Sequence, residues 1–352
     1  MASVTDTPLV IGVTGLNAIE NPGPGLSVIR SLREGFPNVR IIGLAYESLE
    51  PGIYLHNLVD KTYLIPYPSA GSDALLQRLQ HIQAIEGMDI IIPNFDAELQ
   101  NFIKISPELQ KAGIRTVLPT HKQLEACSKP NLAAFGKQYG FSVPKTVSIS
   151  TVDELQVAAD ELNYPLVVKG KFYEAEVTYT AYQAQNAFYR LSAKWGTPII
   201  VQQFVKGTEI NVAGLGDGKG NTLSIIPMRK LYITDKGKAW AGITIADDKL
   251  LDIAQQFTAA TKWHGGFELE LMQDKAGELF IMEINPRFPA WIYLTAAAGQ
   301  NQPVALAKMA LGEQVEPLTD YQVGKMFIRY ALDHIADVSE FQHFSAFGEL
   351  GP

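Results

Sequence analysis

The chain has 352 residues, 47% of them hydrophobic and 19% charged, with a formal net charge of −8. That length and balance suit a folded protein with two or three cores, not a disordered chain. The acidic balance argues against nucleic acid or an anionic membrane as partner; the single cysteine, Cys127, excludes an intramolecular disulfide framework and fits a reducing cytoplasm.

Nothing near the N-terminus combines basic residues, an apolar core and a cleavage site, so no signal peptide is expected. The apolar runs are too short or too interrupted to span a bilayer, and the six histidines lack zinc-ligand spacing.

The first elements alternate. Residues 8–14 read as a buried strand, 26–36 as a helix and 39–45 as a second strand. Residues 72–86 carry Leu75, Leu76, Leu79, Ile82 and Ile85 at helical intervals, and 88–93 form another buried strand. A helix over 97–112 is expected to break near Pro107, and 115–118 read as a short strand. Such alternation predicts a doubly wound α/β unit with a parallel sheet, its ligands at the carboxyl ends of the strands. Gly12-Val-Thr-Gly15 and Asn21-Pro-Gly-Pro-Gly25 invite a dinucleotide reading. Gly-x-Gly-x-x-Gly is absent, however, and Pro22 and Pro24 remove amide donors, so a tight turn is the plainer reading.

Beyond residue 120 the pattern changes. Ser128 is placed to cap a helix with Pro130 in its first turn, running to Tyr139 with Gly140 as stop signal. Residues 145–149 read as a strand, and Thr151 to Glu154 as a capping box opening a helix to Leu162. Strands follow at 164–169, ending in Lys169, and at 197–205, 209–214 and 224–230. A helix is expected over 250–261, and a last one from Pro289 or Trp291 through Ala310. From about Ser339 the pattern is weak and reads as a tail.

Residues 263–287 hold two apolar runs with acidic or amide residues at every second place, separated by Asp274-Lys-Ala-Gly277. Period-2 alternation puts Glu268 and Glu270 on one strand face, and likewise Glu283 and Asn285. A four-residue hairpin loop would set Gln273 opposite Glu278 and Glu268 opposite Glu283. Facing carboxylates repel; the face is either a solvated acidic surface or a site for a hard cation such as Mg²⁺, which takes carboxylate, amide and phosphate oxygens. Lys129, Lys169, Arg229, Lys230 and Arg287 stand at element ends, where their convergence would suit a polyphosphate.

The order Lys129, Lys169, Gln202-Gln-Phe-Val-Lys-Gly-Thr-Glu209, Glu270 and Glu283-Ile-Asn-Pro-Arg287 resembles the ATP-grasp superfamily. Within it the likeness is to the carbamoyl-phosphate synthetase and carboxylate–amine ligase branch, and it covers roughly residues 8–312. The resemblance implies an ATP-grasp fold behind a Rossmann-like domain over 1–121. A small lid subdomain would span 122–205 and a Mg·ATP-binding subdomain 206–338, with 339–352 as tail. It also implies roles. Lys129 and Lys169 would touch ATP phosphates, and Gln202, Gln203, Phe204 and Val205 would meet the adenine at a hinge. Glu209 would accept from the ribose hydroxyls, with Lys230 nearby. Glu270, Glu283 and Asn285 would bind Mg²⁺, one ion or two. Arg287, with Lys169 and Arg229, would serve the transferred phosphoryl or acyl phosphate. The implied activity is an ATP-dependent ligase of the cytoplasm. It would activate a carboxylate as an acyl phosphate and join it to an amine, with homodimerisation in keeping.

Two departures stand out. After Lys169 the family usually carries a glycine-rich loop; here the chain reads Gly-Lys-Phe-Tyr-Glu-Ala-Glu, with Glu174 and Glu176 set to repel phosphates unless they turn away and Lys171 as a possible substitute donor. Gln202 replaces an acidic residue common at the hinge. Two rival readings follow: a nucleotide-binding protein of this fold without ligase activity, and a nicotinamide-dependent oxidoreductase using the N-terminal unit. Asn17 and Asn21 are candidate substrate contacts. His264 reads as structural. Phe288, Trp291 and Tyr293 read mostly as core, with Trp291 also a candidate for the acceptor pocket.

Overall fold

The computed structural model describes residues 8–18, 22–170, 174–234 and 237–351; Asn21 and Lys171 lie outside them. The first unit runs β1 (Val10–Val13), α1 (Pro24–Gly35), β2 (Arg40–Ala45), β3 (Lys61–Leu64), α2 (Ser72–Glu86), β4 (Ile90–Ile92) and α3 (Asp96–Lys111). Its sheet has the order β3-β2-β1-β4, all parallel. Successive residues of each strand serve opposite layers. Ile41 and Ala45 face the core under α1, while Ile42 and Leu44 face the core under α2 and α3. Both faces are therefore covered, as the continuous apolar strands require.

Next come α4 (His121–Ala126), α5 (Leu132–Tyr139), β5 (Thr146–Ile149), α6 (Asp153–Leu162), β6 (Leu166–Lys169), β7 (Ala175–Thr178), α7 (Ala181–Trp195) and β8 (Ile199–Gln203). These strands make an antiparallel sheet ordered β5-β8-β6-β7, with α6 and α7 packed on one side. The third sheet contains β9 (Gly207–Asp217), β10 (Thr222–Ile233) and β11 (Ala239–Thr244), then, after α8 (Asp248–Thr261), β12 (His264–Asp274) and β13 (Leu279–Asn285). Helices α9 (Tyr293–Ala297) and α10 (Gln302–Ala310) lead to β14 (Met326–Ile328), giving the order β13-β12-β9-β10-β11-β14. Phe267, Leu269 and Leu271 of β12 pack with Leu250 and Phe257 of α8, which leaves the alternate residues of β12 on the other face.

The chain closes with α11 (Val338–Phe347) and β15 (Glu349–Leu350), so the stretch read as a tail has regular structure. β15 pairs antiparallel with β3 at the edge of the first sheet, anchored by fully buried Phe344.

Other expectations also need correction. α3 runs unbroken through Pro107, because the Ser106 hydroxyl donates to the Ile103 carbonyl, at 2.9 Å, that the proline cannot serve. The last helix is instead two, divided at Gly299 (φ +101°), with Asn301 capping the second through the Val304 amide. Ser128 makes no side-chain cap; a 3-10 turn, Lys129–Asn131, precedes α5. The Thr151 box is half formed, with Glu154 accepting from the Ser150 and Thr151 amides. Residues 115–118 contribute one bridge, Ile90 to Arg115.

Candidate active site on the third sheet

The β12–β13 hairpin differs from its expected register, yet keeps the polar face. Gln273 pairs with Leu279, not Glu278, so the turn takes one residue more than expected. A bulge between Glu270 and Leu271 pairings then adds a second shift, and Glu270 faces Glu283 while Glu268 faces Asn285. One single-residue slip would have turned Glu283 and Asn285 to the opposite face; two restore it.

Glu268 lies deepest. It accepts from Asn211 Nδ2 at 2.7 Å, Asn285 Nδ2 at 2.9 Å and Trp291 Nε1 at 2.7 Å, and Arg287 Nη1 stands 3.8 Å away. Burial, and then the neighbouring Glu270 charge, push its carboxyl upward. Glu270 accepts from Asn285 Nδ2 at 3.0 Å and meets Lys230 Nζ at 3.6 Å. Burial raises its carboxyl, but Lys230 and then the Asn285 amide outweigh that and hold it below the usual range. Glu283 pairs with Lys129 at 3.2 Å.

Lys230 bridges Glu209 at 2.9 Å and Glu270, and donates to the Gly237 carbonyl at 3.3 Å. Burial works against its charge, yet Glu270 and Glu209 raise it to about 12. Lys169, at the end of β6, is lowered by burial despite the field of Glu283; Lys129 adds to the lowering and Glu270 opposes it. The two edges of the cleft are thus cationic and its floor carboxylate.

At the hinge the Gln203 N–H already donates to the Lys145 carbonyl at 2.9 Å, so it is not an edge reader. Gln202 is buried; its Nε2 donates to Thr146 Oγ1 at 3.1 Å, while its Oε1 has no partner among the described residues. Such an orphaned acceptor fits an exocyclic amino group. Phe204 and buried Val205 continue the chain toward Glu209.

Glu174 and Glu176 turn from the cleft. They pair with Lys194 and Arg190 of α7, and the Gly170 N–H donates to the Glu174 carbonyl at 3.0 Å.

Residues 196–328 match the family described as "ATP-grasp in the biosynthetic pathway with Ter operon". The chain is also 22% identical over 356 residues to the carbamoyl phosphate synthase large chain, N-terminal section, of Methanopyrus kandleri. That alignment covers 93% of this chain and 60% of the relative, so the chain spans less than two thirds of that protein. A biotin carboxylase from Campylobacter jejuni, crystallised as a β-γ-ATP complex, superposes with a TM-score of 0.70 at 16% identity, over 90% of this chain and 74% of that one. The biotin carboxylase domain dimer of Hydrogenobacter thermophilus 2-oxoglutarate carboxylase, solved with MgADP, ADP and bicarbonate, gives 0.66 at 17% identity, over 86% and 70%.

The fold is ATP-grasp. Around the ATP-grasp cleft the chain gathers Lys129, Lys169, Glu209, Lys230, Glu270, Glu283, Asn285 and Arg287. It does not gather Arg229: that residue is exposed and alternates with Lys230 on β10, which points it off the opposite face.

The N-terminal glycines serve the turn. The Gly25 N–H donates to the Gly15 carbonyl and the Gly23 N–H to the Asn17 carbonyl, so these two amides serve their own chain, not a pyrophosphate. A Cβ on Gly25 would lie 2.2 Å from the Thr14 carbonyl oxygen. Asn17 packs its Oδ1 against Gly23 in that turn, with no hydrogen-bond partner among the described residues. His264 bonds the Leu118 carbonyl through Nδ1 at 3.0 Å, and Tyr293 pairs with Glu34 under the Arg30 guanidinium.

Sequence reasoning passed over Asn211 and Asp96, and gave Trp291 and Glu268 no definite part. Glu270 pairs directly with Asn211 across β12 and β9, a relation that needs the sheet order. Asp96 binds Arg287 from another unit altogether. Only the acidic start of α3 hinted at it.

Proposed function

We propose that the protein is an ATP- and Mg²⁺-dependent ligase that activates a carboxylate as an acyl phosphate and joins it to an amine, releasing ADP and phosphate. The observation that carries this reading is Glu270 facing Glu283 across one rung of the hairpin, with Lys129, Lys230 and Lys169 around them.

The donor set fits the metal. Directly opposed residues on a ladder are about 5 Å apart, which suits carboxylates that share a hard cation. Among the described residues no three His, Cys, Asp or Glu side chains form a ready cage. Mg²⁺ commonly takes only one or two carboxylates and completes its shell with water and phosphate. Glu270, Glu283 and Asn285 would hold Mg²⁺, which when bound would offset the charge of the polyphosphate.

The chain's own contribution is position and charge. Lys129 and Lys169 would take phosphate oxygens as the carboxylate oxygen attacks the terminal phosphorus and the bond to ADP breaks. Arg287 would hold the acyl phosphate while the amine nitrogen forms the C–N bond and phosphate leaves. Gln202 Oε1, the Gln203 carbonyl and the Val205 N–H would meet the adenine, and Glu209 the ribose. The reading of a silent nucleotide binder rested on the acidic loop; Glu174 and Glu176 are occupied by α7, which favours the ligase.

The test is a screen of carboxylate and amine pairs with Mg·ATP, scored by phosphate release, with Glu283→Gln as control. Pair-dependent release that disappears in the variant is expected. Tight ATP binding without release from any pair would instead favour the binder, and unchanged turnover in the variant would remove the metal assignment. Among the described residues no helix is long and apolar enough to cross a membrane. A cytoplasmic site of action and a homodimer belong to the same proposal; fractionation recovering the protein outside the cytoplasm would overturn the first.

A further inference from the structure

A cavity of about 180 Å³ opens where α4, α5 and the end of α8 meet, at the edge of the core that holds α8 against β12. Phe135, Tyr139, Trp263, Ala126 and Cys127 wall it, and exposed Lys122 marks its open side. The Phe135 and Tyr139 rings stand 4.8 Å apart. Most polar atoms of the lining are already used. Trp263 Nε1 donates to the Gly266 carbonyl at 3.2 Å, and Gln123 Nε2 to the Thr261 and Lys262 carbonyls at 2.9 Å each. Burial pushes the Cys127 thiol up to about 12, so at neutral pH it is a protonated wall group and no nucleophile. What remains is the Lys122 ammonium and the Tyr139 hydroxyl, neither with a hydrogen-bond or ion-pair partner among the described residues.

We propose that this cavity binds a small aromatic carboxylate of one ring, and that its occupancy alters the hold on ATP through Lys129. Size sets the ring count, since an apolar cavity of about 150 Å³ holds one benzene. Aromatic walls favour an aromatic ring, and the ammonium with the hydroxyl favours an anionic head over a neutral one. The link to Lys129 runs through the backbone. Cys127 and Phe135 are both walls, and the turn Lys129–Asn131 lies between them in the chain, with Lys129 Nζ 3.2 Å from Glu283. A ligand seated between α4 and α5 would shift that turn. By linkage, ATP must then change the affinity for the acid by the same factor. The effect on ATP rests on the reading of Lys129 as a phosphate ligand; the binding of the acid does not.

Titration calorimetry on the full chain with benzoate, and with benzamide as its uncharged counterpart, tests it. The wild type is expected to bind benzoate saturably and benzamide more weakly. Lys122→Ala should weaken benzoate several-fold and leave benzamide unchanged, and Ala126→Leu, which fills the cavity, should abolish both. Lys122 is exposed, so its substitution keeps the test open even if the Ala126 variant fails to fold. With benzoate at saturation the Kd for ATP should shift several-fold, and ATP should shift the Kd for benzoate equally. No benzoate binding would overturn the site. So would binding indifferent to both substitutions, which is what capture in the ATP cleft as a carboxylate substrate would give. Independent binding of ATP and benzoate would overturn the coupling. A wild type that binds no ATP would strike the ligase reading, while the benzoate titrations still decide the site.

Discussion

Arg287 reaches from the end of β13 to Asp96 at the start of α3, with Nε 3.2 Å and Nη2 3.0 Å from the same carboxylate oxygen. The contact ties the carboxyl end of the first sheet to the carboxylate floor of the third. Burial alone would lower the guanidinium; Asp96 first and Glu268 next raise it instead. Arg287 is therefore held charged and aimed before any substrate arrives. We predict that Asp96→Asn lowers turnover about tenfold, in line with one weakened charged hydrogen bond, and leaves KM for ATP unchanged. Steady-state kinetics on the ligation reaction decide this; an unaltered kcat would show that Arg287 is oriented without Asp96.

The acids that follow Lys169 should matter to ATP only when released. Arg190→Ala with Lys194→Ala removes the partners of Glu176 and Glu174, both exposed pairs. Exposed pairs are screened by water and contribute little, so melting temperature should scarcely move. KM for ATP should rise several-fold, more at low ionic strength, where screening is weaker. If KM at low salt equals that of the wild type, the two carboxylates never approach the phosphates.

Glu50 gives a pH signature of folding. It is buried behind β2, accepts from the Tyr46 and Glu47 amides, and has one oxygen, Oε2, without a partner among the described residues. Burial raises it from its ordinary 4.5 to about 7. Between those values the folded form holds a proton that the unfolded form has lost, so stability falls as pH rises from 4.5 to 7. Glu50→Gln should remove that slope and leave the variant relatively more stable at pH 8. Melting curves across the range test it; parallel pH profiles for the two proteins would contradict the assignment.

Lys230→Met strips the cation between Glu209 and Glu270. An unpaired charge at such a site costs about 3 kcal/mol or more. The variant should melt earlier and gain more from added Mg²⁺ than the wild type does, since a divalent ion replaces the lost charge. Equal thermal shifts with Mg²⁺ would argue that the ion binds away from Glu270.

Much of the site was legible before any tertiary structure. Glu268, Glu270, Glu283 and Asn285 advertise one face by alternation, and Lys129 and Lys169 stand in the order of an ATP-grasp cleft. Arg229 and Lys230, by contrast, look equivalent in sequence, and strand alternation sends them to opposite faces. The break expected at Pro107 ignored the hydroxyl next to it, and the end of the chain concealed a strand because, among its described residues, only Phe344 and Leu350 are buried. A sparse pattern of that kind has too few apolar positions to show a period.

The layered α/β architecture, the polar face of the hairpin and the lysines Lys129 and Lys169 are legible locally, since periodicity and end placement are local properties. Assembly of the sheet set the register, through a turn and a bulge whose two shifts cancel in parity. Only tertiary assembly placed Asp96 against Arg287 across 191 residues of chain, and turned Glu174 and Glu176 onto α7. Those relations depend on how separately formed units meet, and no local pattern carries that.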